Sequence, residues 1–380
     1  MAAMTAGAPF QPVYEDAAFA QALLTKLSVL PSLVEHTEID ALCIELAHVN
    51  QSSGLVLQAG PCAELLGDYG GEVARAGVAV LVHLAEVLAA CAQVPVLPLL
   101  RGAGQFAKPR NALTETRAGL TLPSYAGDLV NARAFNAASR KPNPARLAWA
   151  YDEARRTLVA VRAAQAGARM FSSHEALHLA WEQAQLRMHG DVQYLQSAHS
   201  VWVGDKSRDP RGAHVALAAS IANPVGVKVG PAATPRDVVA LVQELNPARV
   251  PGRLTLVMRL GLARAHQLGP VVEAVRAWGV PVLWMCDPMH GNTRVSSAGR
   301  KLRVLDDMVA ECTLVARMLA ERGERLSGLH LEVAHDDVAE CVGAGVGESD
   351  LHGELACDPR LNPRQAEVLV RAFAAAVARH

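Results

Sequence analysis

Short apolar runs alternate with amphipathic stretches along most of the chain, and many of the runs end in the same way. LVLQAG from residue 55 leads into Gly60, Pro61, Cys62, Ala63 and Glu64, VPVLPLL from 94 delivers Arg101, and RLTLVMRLG from 253 delivers Arg259. PVGVKVG from 224 sets Lys228 among valines, and GLHLEVA from 328 delivers Glu332. VPVLWM from 280 runs straight into Cys286, Asp287, Pro288, His290, Gly291 and Asn292. Apolar runs of this length, bounded by turn residues, predict buried strands. Eight of them start near residues 55, 94, 168, 194, 224, 254, 280 and 328, with YLQSAHSVWVG from 194 read as one strand.

Helical periodicity fills most of the intervals. Val73, Ala76, Val80, Leu84, Val87 and Cys91 step by three to four residues, which predicts a helix over about 71 to 92. Thr234 and Pro235 supply an N-cap and a first-turn proline for a helix over 235 to 245. Further helices are expected near 151 to 166, 176 to 189, 212 to 221, 270 to 278 and 304 to 322, and from about 363. Residues 1 to 50 read as an N-terminal extension of one or two short helices divided by Pro31, with Asp16 and Asp40 as caps, and 51 to 380 as the catalytic domain. The stretch from 111 to 150, rich in Pro, Asn, Ser and Arg, is too long for an ordinary connection and reads as an excursion over one end of the domain. Eight strands with helices between most of them is the count of a (β/α)8 TIM barrel, whose chemistry gathers at the carboxyl ends of the strands. The rival is an open doubly wound sheet. Against it, no GxGxxG opens the first helix, since GAGQF lacks the third glycine and follows the second strand.

Composition narrows the function classes. The 380 residues are 51% hydrophobic and 4% aromatic, enough for a large core of ordinary packing. Lys plus Arg total 36 against 37 Asp plus Glu, so no global field attracts nucleic acid or an anionic membrane, and any anion must be held locally. Seven cysteines without a CxxC pair predict reduced thiols and a cytoplasmic protein. The start, MAAMTAGAPFQPVYED, lacks the form of a secretory signal. The most apolar segment, GVAVLVHLAEVLAACA from 77, carries His83 and Glu86 and reads as too short to span a bilayer.

The residues released at the strand ends divide by chemistry. Cys62, His174, Glu175, Asp205, Asp287, His290, Glu332 and Asp358 are able to bind a divalent metal. Arg101, Lys108, Arg110, Lys206, Arg208, Lys228 and Arg259 are able to bind phosphate or carboxylate. Lys228 and Arg259 emerge from apolar strands, where a cation is costly unless an anion meets it. So many cations suit two phosphates, or a phosphate and a carboxylate. The alternative is that the cations pair internally with the acidic set. A mixed thiolate, imidazole and carboxylate site fits an open catalytic Mn, Co, Fe or Zn centre acting as a Lewis acid on a carbonyl oxygen.

The motifs GPCAE, RGAGQFAKPRN, LPSYAGD, SSHEAL, SAHSVWVGD, IANPVGVKVGP, CDPMHGNT, the HLE of GLHLE and ACDPRLN occur in order from about 55 to 365. Together they resemble the type II (plant-like) 3-deoxy-D-arabino-heptulosonate 7-phosphate (DAHP) synthases, with CDPMHGNT, KPR and GVKVGP the most specific. The resemblance implies a (β/α)8 barrel that condenses phosphoenolpyruvate with erythrose 4-phosphate, a four-carbon phosphorylated aldose, at the entry to the shikimate pathway. It implies Cys62, His290, Glu332 and Asp358 as ligands of a divalent metal, Mn2+ or Co2+, with Fe2+ or Zn2+ also compatible. It implies a phosphoenolpyruvate cradle of Arg101, Lys228 and Arg259 completed by Asp205 and Lys206. Lys108, Pro109 and Arg110 would lie along the erythrose phosphate side, with Glu175 and Asp287 nearby. In the resembled mechanism the metal polarises the aldehyde, the enol carbon attacks it, water adds to the resulting cationic centre, and phosphate leaves with its C–O bond cleaved.

Departures cluster near the expected mouth. Asp205, Lys206, Ser207 and Arg208 stand where the family usually has Glu-Arg-Thr-Arg, and Asn111 where KPR is commonly followed by Ser. Ala334 and His335 replace the usual Thr-Gly, and Leu302 a usual Thr. These changes bear on the acceptor, for which an amino or imino analogue of the aldose is the second candidate, and they permit a catalytically weak regulatory paralogue as a third reading. The chain is short for the family, which implies weak or absent feedback by aromatic amino acids, an association with secondary metabolism, and a homo-oligomer by resemblance alone. Cys357, next to Asp358, is expected to approach Cys62 if both flank one metal.

Overall fold

The computed structural model describes residues 7 to 379 apart from 52–53, 68–70, 111, 165–168, 298, 354 and 356. The apolar runs form β1 (Leu55–Gly60), β2 (Val96–Arg101), β3 (Phe171–Glu175), β4 (Ser200–Val203), β5 (Val225–Val229), β6 (Leu254–Met258), β7 (Leu283–Cys286) and β8 (Leu326–Glu332). Each strand pairs in parallel with its chain neighbours, and β8 pairs with β1, so the sheet closes as a (β/α)8 barrel. Closure puts all eight carboxyl ends at one mouth, so residues distant in sequence share one site.

The longer helices among the described residues are α1 (Ala17–Leu27), α2 (His36–Gln51), α3 (Glu72–Ala92), α4 (Ala145–Ala164), α5 (Ala213–Ser220), α6 (Pro235–Leu245), α7 (Leu268–Trp278), α8 (Leu305–Ala320) and α9 (Pro363–Val377). Asp16 caps α1 through the Phe19 amide. Thr234 caps α6 in a capping box with Asp237, with Pro235 in the first turn. α3 runs to 21 residues, longer than its most apolar segment suggests, and is long and apolar enough to cross a membrane. Its apolarity has a nearer cause: Val78, Leu81, Leu84 and Leu88 are buried in the main core, where α3 packs on β1, β2, α4 and α9.

The amino-terminal end of the barrel is sealed by α2. Leu42, Leu46 and Val49 pack with Val56, Leu99, Phe171, Val257, Leu283 and Met285 in one buried cluster. Asp40, expected as a cap, lies inside α2, where its carboxylate accepts from the Tyr194 hydroxyl at 2.9 Å.

Two antiparallel ribbons interrupt the barrel repeat, the first at the mouth and the second against α2. Thr114–Arg117 and Leu120–Pro123 form an antiparallel hairpin turning at Ala118 and Gly119, both with positive φ, as tight hairpin loops require. The segment expected as a helix over 176 to 189 is instead a short helix, Leu179–Gln183, followed by the strand Leu186–His189. That strand pairs with Val192–Leu195, so the run expected as one strand from 194 splits, and only Ser200–Val203 enters the barrel. Gly190 at φ +62 makes the reversal, and a Gly-Asp turn signal outweighs the helical propensity before it.

Because Leu46 is 3% exposed and bridges α2 to the barrel floor, Leu46→Ala should lower unfolding stability by about 2–5 kcal/mol. Urea denaturation checks this, and a loss well under 1 kcal/mol would show that α2 is not part of the core.

Candidate active site

At the mouth lies a cavity of about 520 Å³, within the range of small-molecule sites. Among the described residues lining it are seven cations, Arg101, Lys108, Arg110, Lys206, Lys228, Arg259 and Lys301, against four carboxylates, Glu115, Glu175, Asp205 and Asp358. Pro109 and His290 also line it. Asn111 lies outside the described residues.

On one wall, Cys62 from the loop after β1, Glu332 from the end of β8 and Asp358 bring ligand atoms within 4.8 Å of one another. His290 stands beside this group: its Nε2 is 3.2 Å from Glu332 Oε1, and its Nδ1 is 2.7 Å from Asp287 Oδ2. With Nδ1 held by Asp287, Nε2 is directed at Glu332. A thiol, an imidazole and two carboxylates converging in a buried spot suit a borderline divalent ion, and three acidic groups facing one another invite one. Burial, then a hydrogen bond with Cys357, holds the Cys62 thiol well above its ordinary value. The two thiols are therefore neighbours, as the sequence suggested. Burial would raise the Glu332 carboxyl too, but His290, Lys108, Arg101 and Arg303 around it hold it well below the usual range.

The basic residues are oriented by carboxylates. Lys228 Nζ is 2.7 Å from Asp287 Oδ2, and burial, partly offset by Asp287, brings its ammonium down to about 8. Asp205 accepts from Arg208 Nε at 2.9 Å, Arg259 NH1 at 3.3 Å and the Gly230 amide at 2.8 Å. The Nε of Arg259 is buried with no hydrogen-bond partner among the described residues. Burial, then the neighbouring Arg259, lowers the Lys206 ammonium. Internal pairing is thus extensive, yet it orients the cations around the cavity without filling it.

Not every expected residue faces that space. Asp287 is fully buried behind Lys228 and His290, and Arg208 backs Asp205. His174 turns away, its Nε2 3.0 Å from Glu182, its ring so close to Gly104 that a Cβ there would meet Nδ1 at 2.2 Å.

Several contributors escaped the sequence reading. Lys301 reaches Asp358 at 2.7 Å. Arg303, fully buried, meets Glu332 Oε2 at 2.8 Å and Thr293 Oγ1 at 2.9 Å, and donates to the Pro359 carbonyl beside Asp358 at 2.5 Å. Glu64 accepts from the Ala103, Gly104 and Gln105 amides, fixing the loop that leads to Lys108. Glu115 from the hairpin lies 3.6 Å from Arg110 and 3.2 Å from the buried Arg140. Their signal was faint: Glu64 and Arg303 sit in or beside motifs, but a buried ion pair between distant segments leaves no spacing to read.

The family model described as the class-II DAHP synthetase family matches residues 4–170 and 166–376. The chain is 38% identical to the phospho-2-dehydro-3-deoxyheptonate aldolase AroG of Mycolicibacterium smegmatis, over 94% of this chain and 89% of that protein. It is 35% identical to the phospho-2-dehydro-3-deoxyheptonate aldolase of Streptomyces coelicolor, over 94% of this chain and 92% of that one. With that of Neurospora crassa it shares 33% identity, over 93% and 89%. By family match, by relatives aligned over most of their length and by a barrel with these residues at its mouth, the chain belongs to the class-II DAHP synthetase family.

Proposed function

We propose that the protein condenses phosphoenolpyruvate, erythrose 4-phosphate and water to DAHP and inorganic phosphate. The observation that carries this reading is the convergence of seven cations on one cavity, three of them held in place by carboxylates outside its lining, an array suited to two phosphorylated substrates. The names of the relatives point to the same reaction. Seven free cysteines suit a reducing compartment, and we place the protein in the cytoplasm.

Arg101, Lys228 and Arg259 hold the phosphate and carboxylate of phosphoenolpyruvate, Arg259 being oriented by Asp205. Lys206 completes that side, and Lys108, Pro109 and Arg110 lie along the phosphate of the aldose. Cys62, His290, Glu332 and Asp358 are the residues that would hold a divalent ion, Mn2+ or Co2+ ahead of Fe2+ or Zn2+. Such an ion supplies Lewis-acid polarisation of the aldehyde oxygen when bound. The enol carbon forms the new C–C bond with the aldehyde carbon, water adds at the former enol ether carbon, and phosphate departs with C–O cleavage. Glu175 and Asp205 are the cavity carboxylates available to take the proton from that water. Glu175 Oε1 is buried against Gly204 without a hydrogen-bond partner among the described residues.

Cys62→Ser should lose both stoichiometric divalent metal and phosphoenolpyruvate turnover, read by elemental analysis and by product mass. Retained activity would sink the ligand assignment. The proton on Lys228 sets a second expectation. Burial lowers its ammonium to about 8, so the cation is present below that pH and lost above it. The pH profile of kcat/KM for phosphoenolpyruvate should therefore fall on an alkaline limb centred near 8, whereas a profile level to pH 10 would separate Lys228 from substrate binding.

A further inference from the structure

Barrel interiors are ordinarily filled by branched apolar side chains. Below the mouth of this one lies a polar layer that the proposed chemistry does not use. Arg101 NH1 is 2.6 Å from His330 Nε2, and His330 Nδ1 is 2.7 Å from Gln58 Oε1. Gln58 Nε2 donates to Ser173 Oγ at 2.8 Å, and Ser173 donates to the Leu100 carbonyl at 2.9 Å. Gln58, Ser173 and His330 are all buried.

The direction of every bond follows from the first donor. A guanidinium has no acceptor, so His330 Nε2 accepts, and its proton sits on Nδ1 and is donated to Gln58. Gln58 then offers its amide N–H to Ser173, whose hydroxyl passes on to a backbone carbonyl. The four groups stand on the adjacent strands β8, β1, β3 and β2, and the chain returns to Leu100, the residue before Arg101. Of the other guanidinium hydrogens, Nε meets the Pro61 carbonyl at 2.9 Å, and NH2 meets the Cys62 carbonyl at 2.9 Å and Glu332 Oε1 at 2.8 Å. One NH1 hydrogen is left without a partner among the described residues, and Arg101 lines the cavity.

We propose that His330 is a positioning residue: as a neutral acceptor locked by Gln58 and Ser173, it fixes the plane of the Arg101 guanidinium so that the remaining NH1 donor faces the anion of phosphoenolpyruvate. The inference rests on reading the cavity as a phosphoenolpyruvate site. Leu at 330 fills space but accepts nothing, and leaves a buried guanidinium donor unmet. Gln at 330 retains an acceptor near the position of Nε2.

The test is equilibrium binding of phosphoenolpyruvate alone to Mn2+-loaded protein by calorimetry, with kcat and both KM values, metal content and thermal melting measured alongside. His330→Leu should weaken phosphoenolpyruvate binding about tenfold or more, while the KM for erythrose 4-phosphate and the metal content stay at wild-type values. His330→Gln should recover most of that loss. Equal binding by wild type and a folded His330→Leu overturns the inference, as does an equal loss in both variants, which would make the histidine a packing residue only. Should His330→Leu fail to fold, Gln58→Leu replaces it, with the same split between the two KM values expected and an unchanged phosphoenolpyruvate KM counting against the role. Wild-type protein that binds no phosphoenolpyruvate sinks the functional reading itself, and the positioning role falls with it.

Discussion

Glu332 is a carboxylate without exposure to water, and the site is built on the need to satisfy it. Arg101 and Arg303 reach it at 2.8 Å, His290 at 3.2 Å and Lys108 at 3.4 Å. An ion taken out of water costs several kcal/mol even after relaxation, so a group this deep persists only when surrounded. Its partners arrive from the end of β2, from two loops and from the segment before α8. Each also does something else: Arg101 and Lys108 line the cavity, His290 belongs to the metal-capable group, and Arg303 ties down the chain beside Asp358. The cations lining the cavity and the metal-capable group are therefore one electrostatic unit, in which removing Glu332 would leave several cations unpaired.

The barrel interior is graded to support that unit. Alternate residues of each strand point inward, so β1 presents Val56, Gln58 and Gly60 in ascending order, β3 presents Phe171, Ser173 and Glu175, and β8 presents Gly328, His330 and Glu332. The lowest level is apolar and closed by α2, the middle is hydrogen-bonded, and the highest is charged. Gly60 reaches its level without a side chain for a steric reason, since a Cβ there would lie 2.3 Å from the Arg101 carbonyl oxygen. Polarity rising toward the mouth lets charges be held rigidly while the floor supplies the packing that keeps the strands in register.

What was legible in the sequence follows the same grading. Strands announced themselves because apolar runs in a barrel are bounded by the polar residues they deliver, which is how Arg101, Arg259, His290 and Glu332 could be picked out one at a time. The ribbon after β3 did not, because its strands are short and rich in helix-forming residues, with only the Gly190-Asp191 turn against them. Asp40 looked like a cap by type, and only its contact with Tyr194 explains it. Glu64, Arg303 and His330 could not be given contacts from the sequence, because their partners lie on other strands and loops. Asp287 reads in the sequence as a strand-end carboxylate, and the structure sets it against Lys228 and His290, since sequence order does not say whether such a carboxylate faces the ligand or the cation beside it.

The loop at 205–208 shows how a small change redistributes a task. Asp205 sits so close to the loop after β5 that a Cβ on Gly230 would lie 2.4 Å from its Oδ2. There it accepts the Gly230 amide and holds Arg208 and Arg259 together. A short carboxylate suits that spot, because the Gly230 backbone already lies against it. Lys206 then brings a compact charge in place of a planar fork, so it attracts a phosphate without dictating how the phosphate turns. Arg110 and Arg259 keep the planar fork in the same cavity, each beside its own carboxylate, Glu115 at 3.6 Å and Asp205 at 3.3 Å. On the proposed assignment, the hairpin that delivers Glu115 bears on the aldose phosphate through Arg110, and the loop that delivers Asp205 bears on phosphoenolpyruvate through Arg259.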